Sequence, residues 1–133
     1  MVAAFDWLFA PPGKPVPGWD DQAAAVAVRA AIEGERSTVL VAQLAGELAG
    51  ICTVYRDIDS VRFGPRAWVE DLAVRPDARS SGIGRDLLAA AREWARSQGA
   101  SQLALTSAES RVDAHRFYER EQGERSIYFR WPL

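Results

Sequence analysis

The chain has 133 residues, enough for one domain with a real hydrophobic core. An apolar share of 48%, a charged share of 26% and a net charge of −2 exclude a dedicated nucleic-acid or polybasic membrane surface, because both need clustered positive charge. A single cysteine, Cys52, and a single histidine, His115, exclude an intramolecular disulfide and a structural zinc site.

No apolar run approaches the roughly eighteen residues of a membrane-spanning helix. No basic stretch followed by an apolar core opens the chain either. The expectation is one cytoplasmic domain over residues 1–133, with no metal.

Residues 2–9 are mostly apolar, and Pro11, Pro12, Gly13, Pro15, Pro17 and Gly18 then break regular structure. That proline-rich stretch is either a surface linker or a lid. Asp20 and Asp21 cap a helix from Gln22 to about Glu33, stopped by Gly34. Thr38–Leu44 and Ile51–Tyr55 read as strands, with residues 45–50 as the hairpin turn between them. A polar loop over 56–65 leads to a third strand from about Ala67 to Val74, ended by Arg75-Pro76.

From Ile83 to Gln98 the apolar positions Ile83, Leu87, Leu88, Ala91, Trp94 and Ala95 follow helical spacing, and Gly99 closes the helix. Gln102–Thr106 is a fourth strand, Val112–Gln122 a second amphipathic helix, and Ser126–Trp131 a last strand. A hairpin at one end and strand-helix-strand crossovers at the other imply a mixed sheet with helices on both faces.

Arg79-Ser80-Ser81-Gly82-Ile83-Gly84-Arg85 lies between a strand and a helix. A helix N-terminus leaves about four backbone N–H groups without partners, and a glycine-rich turn can gather them into an anion cradle. Arg79 and Arg85 add positive charge. A dinucleotide fingerprint fails because Leu87 stands where its third glycine belongs, and a P-loop fails because the chain's only lysine is Lys14. Residue by residue, an anion cradle and a plain strand-to-helix turn both fit.

The segment Val69-Glu70-Asp71-Leu72-Ala73-Val74-Arg75-Pro76 followed by Arg79-x-x-Gly82-x-Gly84 resembles the acyl-CoA-binding motif of the GNAT superfamily of N-acetyltransferases. Ala114-His115-Arg116-Phe117-Tyr118-Glu119 is similar to that family's second motif. The resemblance implies an α+β fold: a mixed, mostly antiparallel sheet of about six strands, split beside a bulged central strand, with helices on both faces. Its first strand is either missing or supplied by residues 2–9.

It further implies acetyl-CoA as co-substrate, with Leu72, Ala73 and Val74 along the pantetheine arm and Ser80, Ser81, Gly82, Ile83, Gly84 and Arg85, together with Arg79, around the pyrophosphate. The partner implied is a small-molecule amine, and the reaction is direct acetyl transfer to it. A homodimer is expected on the same grounds and because a short chain leaves sheet edges needing cover; from the residues alone, Trp131 is a candidate for a subunit contact. The sequence departs from the family at Arg111, where asparagine is usual, and after Tyr118, where Gly123 comes one residue late. The atypical start and the altered residues after Tyr118 motivate a second reading, a catalytically weak acyl-CoA-binding module that senses the cofactor or assembles with a partner.

A lysine-like amine, which ordinarily titrates near 10.4, must lose a proton before it attacks, and a leaving thiolate is helped by a nearby acid. The resemblance places Tyr118 beside the cofactor sulfur, where its hydroxyl can donate; taken alone, Tyr118 also fits as a core residue beside Phe117. Glu70 is the candidate base, with a solvated or arginine-paired carboxylate as the alternative. Glu70, Asp71 and Trp68 are the candidate acceptor-binding residues. His115 and a water relay remain other routes for the proton. Cys52 reads as a small core hydrophobe.

Overall fold

The computed structural model describes residues 2–9 and 17–133. The hairpin sets the frame. Ala45 and Gly46 take φ of 51° and 80°, and a two-residue turn with both φ positive matches the twist of the strands it joins. It connects β1 (Ser37–Leu44) to β2 (Glu47–Arg56) in antiparallel pairing. The expected turn of six residues is therefore too long: Glu47 to Gly50 already lie in β2.

β3 (Arg66–Val74) pairs antiparallel with β2, and β4 (Gln102–Ala104) pairs parallel with β3, giving the order β1-β2-β3-β4. The crossover from β3 to β4 runs through a 3-10 turn at Pro76–Ala78 and helix α3 (Ile83–Ser97). Helix α4 (Val112–Arg120) follows β4. Ahead of the sheet stand a 3-10 turn at Val2–Phe5, the single-turn helix α1 (Asp6–Phe9) and helix α2 (Asp21–Glu33). The Asp20 carboxylate caps α2 by accepting from Gln22 N at 2.9 Å.

Two cores flank the sheet. On one face Leu87 and Ala91 of α3 pack on Cys52, Val54 and Val69. On the other, Ala4 and Phe5 pack on Ile51 and Ala73, with Trp7, Leu8, Ala24 and Val28 around them. Helices thus cover both faces, as the resemblance implied.

The register of β3 breaks once. Thr53 stands opposite Asp71 and Val54 opposite Val69, so Glu70 is the extra, unpaired residue of a β-bulge. An extra residue inverts the alternation of a strand. Val69 therefore faces α3, and beyond the bulge it is Leu72 and Val74 that pack towards α3 while Ala73 turns to the opposite core.

The sheet has four strands among the described residues, not about six. Residues 2–9 coil instead of extending: their apolar run lets Ala4 and Phe5 reach the core in helical turns. β4 stops at Ala104, two residues short of expectation. Ser126–Trp131 has the composition of a strand and makes none, for it has no ladder partner among the described residues. Most of the proline-rich stretch lies outside the described residues.

Candidate functional site

β3 and β4 pair over only three positions, Arg66 to Trp68 against Gln102 to Ala104. Past Trp68 the bulge swings β3 away, and no strand pairs with this edge of Glu70–Val74 among the described residues. Backbone N–H and C=O groups freed this way are a template for an extended amide-bearing ligand.

A cleft occupies the split. Glu70, Asp71 and Leu72 form its β3 wall, and Leu105, Thr106 and Ser107, just past β4, form the other. Tyr118 from α4, Arg111 and Leu8 from the N-terminal turn complete the lining. Two sequence-derived candidates, Tyr118 and the Glu70-Asp71 pair, are thereby brought into one site. Leu8, Ser107 and Arg111 are lining residues that the sequence reading did not include. The apolar run at 2–9 was the available signal for Leu8, and the odd arginine at 111 the signal for the third.

Burial raises the Tyr118 hydroxyl above its ordinary pKa of 10.0; Arg111 pulls it back and Cys52 adds a further upward push. The phenol is thus protonated at neutral pH and available as a donor. Cys52 is fully buried in the core, with its thiol pushed up to about 12 by burial and by Asp71. It behaves as the small hydrophobe its sequence setting implied.

The two acids differ. Glu70, at the bulge, is exposed to solvent and makes no ion pair among the described residues. Asp71 is half-buried, and its pKa is raised first by burial and then by Glu70. The cross-strand Thr53 hydroxyl opposes this least, since its buried Oγ1 makes no hydrogen bond of normal geometry.

A carboxyl whose folded pKa exceeds its ordinary 3.8 favours the fold in its protonated form. Its charge therefore costs stability progressively as pH rises from about 3.8 through the folded value, and the full cost stands above that. Asp71→Asn is expected to raise the melting temperature at pH 7, and the gain should shrink as pH falls through that window. Thermal unfolding at stepped pH checks it; a loss of stability at pH 7 would show that the carboxylate is held by a favourable partner.

The turn before α3 has the form of an anion cradle. Ser80 and Gly82 both take positive φ, 62° and 90°, and Gly82 is the N-cap with no side chain capping the helix. Left-handed residues alternating with helical ones turn successive N–H groups towards one point. Gly82 is required by its backbone conformation. Gly84 is not: a Cβ there would sit 3.6 Å from Phe117 Cζ, an ordinary contact. Ser81 donates to the Ala78 carbonyl, which ties the turn to the preceding 3-10 segment.

The arginines divide. Arg85 is exposed over the turn, with Nε 3.7 Å from Asp86 Oδ1. Arg79 is directed elsewhere: it donates from Nε to the Val74 carbonyl at 3.2 Å and from Nη2 to the Trp7 carbonyl at 3.3 Å. Its guanidinium fastens the N-terminal turn to the end of β3.

Trp68 does not line the cleft. Its indole Nε1 donates to Asp57 Oδ2 at 3.0 Å, and Asp57 also pairs with Arg66 at 3.4 Å. It stands opposite Tyr55 across the ladder. His115 Nε2 donates to the Ala108 carbonyl at 3.0 Å, which staples the turn ahead of α4, and His115 is not among the cleft's lining residues.

An open mixed sheet, a bulge beside the split and an uncapped glycine turn at the crossover helix define the acetyltransferase class of α+β fold. The chain belongs to the acetyltransferase (GNAT) family, whose model matches residues 2–123. It is 33% identical over 107 residues to an aminoglycoside N(6')-acetyltransferase type 1 of Stenotrophomonas maltophilia, covering 76% of this chain and 70% of that one. It is 36% identical over 86 residues to an aminoalkylphosphonate N-acetyltransferase of Salmonella typhimurium, covering 65% of this chain and 55% of that one. Among solved structures, the aminoglycoside N-acetyltransferase AAC(6')-Iy in complex with CoA shares the fold with a TM-score of 0.74 at 21% identity, over 88% of this chain and 81% of that one.

Proposed function

We propose that this chain is an acetyl-CoA-dependent N-acetyltransferase that acts by direct transfer on a primary amine of a small cationic molecule. The observation that carries this reading is the cleft itself, where a protonated tyrosine and two carboxylates without ion-pair partners among the described residues meet at the split of the sheet. The residues fit the co-substrate: the turn over Ser80–Arg85 offers uncapped helix N–H groups to the pyrophosphate. The freed edge at Leu72, Ala73 and Val74 offers backbone groups to the pantetheine amides, although the Val74 carbonyl is shared with Arg79. No group of three or more metal-ligating side chains exists among the described residues.

Bound acetyl-CoA supplies the thioester whose acetyl group the amine takes. Glu70, exposed at the bulge, accepts the proton the amine must lose, directly or through water. As nitrogen bonds to the acetyl carbon and the carbon–sulfur bond breaks, the Tyr118 hydroxyl hands its proton to sulfur. Glu70 and Asp71 together favour a cationic acceptor by Coulomb attraction. The aminoglycoside N-acetyltransferase relatedness supports the same class.

The test is thiol release from acetyl-CoA across aminoglycosides, polyamines, aminoalkylphosphonates and amino acids. Release that requires a cationic amine is the expected result. Silence across the panel, with calorimetry still showing CoA binding, would leave the chain as an acyl-CoA-binding module.

A further inference from the structure

Arg111 carries a charge that nothing answers. Among the described residues its guanidinium makes no ion pair and donates no hydrogen bond. Yet the residue is half-buried. Arg66 and Arg75, covered to a similar degree, each hold a carboxylate, Asp57 at 3.4 Å and Asp77 at 2.6 Å. Two carboxylates, Glu70 and Asp71, line the same cleft as Arg111, and it pairs with neither. A partly desolvated guanidinium without a counter-charge is a cost that an arriving anion removes.

The residue itself is held in place. Arg111 N donates to the Ala108 carbonyl at 3.0 Å, and the Arg111 carbonyl accepts from His115 N at 3.1 Å. His115 Nε2 bonds to the same Ala108 carbonyl. The backbone thus fixes where the side chain starts and leaves the five N–H donors of its fork to a ligand. Arg111 is also the N-cap of α4 and no side chain caps that end, so the positive end of the helix adds to its charge.

A second group lacks a partner. The Ser107 hydroxyl belongs to the same cleft, and its buried Oγ makes no hydrogen bond among the described residues. Buried polar groups are satisfied as a rule, so an orphaned hydroxyl in a cleft marks the place of a ligand atom. The co-substrate does not need this pair. Its pantetheine amides are neutral and find backbone groups along Leu72–Val74, and its sulfur takes a proton from Tyr118. A guanidinium beside a hydroxyl suits an oxyanion, a carboxylate or phosphonate whose two oxygens match the fork.

We infer that the acceptor carries an acid group as well as its amine, with the nitrogen at Glu70 and Asp71 and the carboxylate or phosphonate at Arg111 and Ser107. This rests on the acetyltransferase reading above and narrows its substrate class. Opposite charges held apart in one cleft fix the direction in which the acceptor lies, with its nitrogen at the bulge. A diamine satisfies the acids equally well and meets repulsion at Arg111.

Thiol release from acetyl-CoA with β-alanine, aminoethylphosphonate, propylamine and putrescine tests it. For the two acids kcat/KM should exceed that for propylamine by about tenfold or more, the worth of a hydrogen bond between charged groups, with putrescine no better than propylamine. Arg111→Gln should lower this ratio by about 10- to 100-fold, and Arg111→Lys should keep part of it, since the charge stays and the fork is lost. Ser107→Ala should lower it by about threefold. The ratio is the readout because the pull of Arg111 on the Tyr118 hydroxyl, and any effect on folding, falls on every acceptor alike.

A wild type that takes propylamine, putrescine or aminoglycosides as readily as the acids overturns the inference and leaves the acetyltransferase reading standing. A preference that survives Arg111→Gln overturns it too. So does an Arg111→Gln chain that loses CoA affinity by calorimetry while the ratio holds, which would seat the guanidinium on the cofactor. Release from none of these amines, with CoA still bound, overturns both readings.

Discussion

Tyr118→Phe is expected to lower kcat by about 10²-fold or more, within the range that a positioned general acid contributes, while the affinity for CoA changes little. The substitution removes one oxygen and keeps the ring, so the Phe117 contact at 5.3 Å between centroids survives. Tyr118 lines the cleft and no residue of Ser80–Arg85 does, so the loss should fall on turnover. The pH profile sharpens the test. Burial raises the phenol above 10.0, so the wild-type donor stays protonated through any practical assay pH, and its ionisation should produce no alkaline decline below about 10. Steady-state kinetics with the best amine, beside calorimetry with CoA, separates the two effects. Unchanged kcat in the phenylalanine variant would remove Tyr118 from the proton transfer.

The elements that the sequence revealed most plainly are those with local periodicity. In α3 the spacing of Leu87, Ala91 and Ala95 marks the face that ends up buried. The bulge also left a trace: the apolar parity of β3 runs odd at Ala67 and Val69 and even at Leu72 and Val74, and a strand can switch parity only by gaining a residue. Only the family resemblance, and not spacing, pointed there in advance.

Harder cases share one cause, dependence on distant partners. A short apolar run such as residues 2–9 fits a strand or a helix equally, and Ile51 and Ala73 decide it by offering a core that helical turns reach. Ser126–Trp131 has a strand's pattern, but a strand exists only with a ladder beside it. Arg79 lies inside the loop motif yet bonds to Trp7, 72 residues away, a contact no local pattern contains. Trp68 is two residues from Glu70 but across the bulge, so its indole goes to Asp57 and not to the cleft.

Gly50 shows how the fold sets the site, and its replacement carries the second large effect. In sequence it reads as turn; in the structure it lies in β2, opposite Val74 and directly beneath the start of α3. A Cβ there would stand 2.8 Å from Leu87 Cδ1, 2.9 Å from Ile83 Cγ2 and 3.3 Å from the Ala73 carbonyl. Leu87 is 3% exposed and has little room to retreat, so the strain is expected to pass to the helix. Overpacking of this kind costs about 1–3 kcal/mol, which for a domain of this size lowers the melting temperature by roughly 4–12 °C.

Ile83 is the first residue of α3 and part of the cradle, so lifting it also displaces the N–H groups of Gly82–Arg85 from the freed edge of β3. Gly50→Ala is therefore expected to weaken CoA binding while Tyr118 and Glu70 stay intact. Gly84→Ala, whose added methyl meets Phe117 at an ordinary 3.6 Å, should melt near the wild type and serves as the control for stability. If Gly50→Ala melts and binds like wild type, the tips of Leu87 and Ile83 swing aside and the close approach of β2 to α3 does not hold the turn in place.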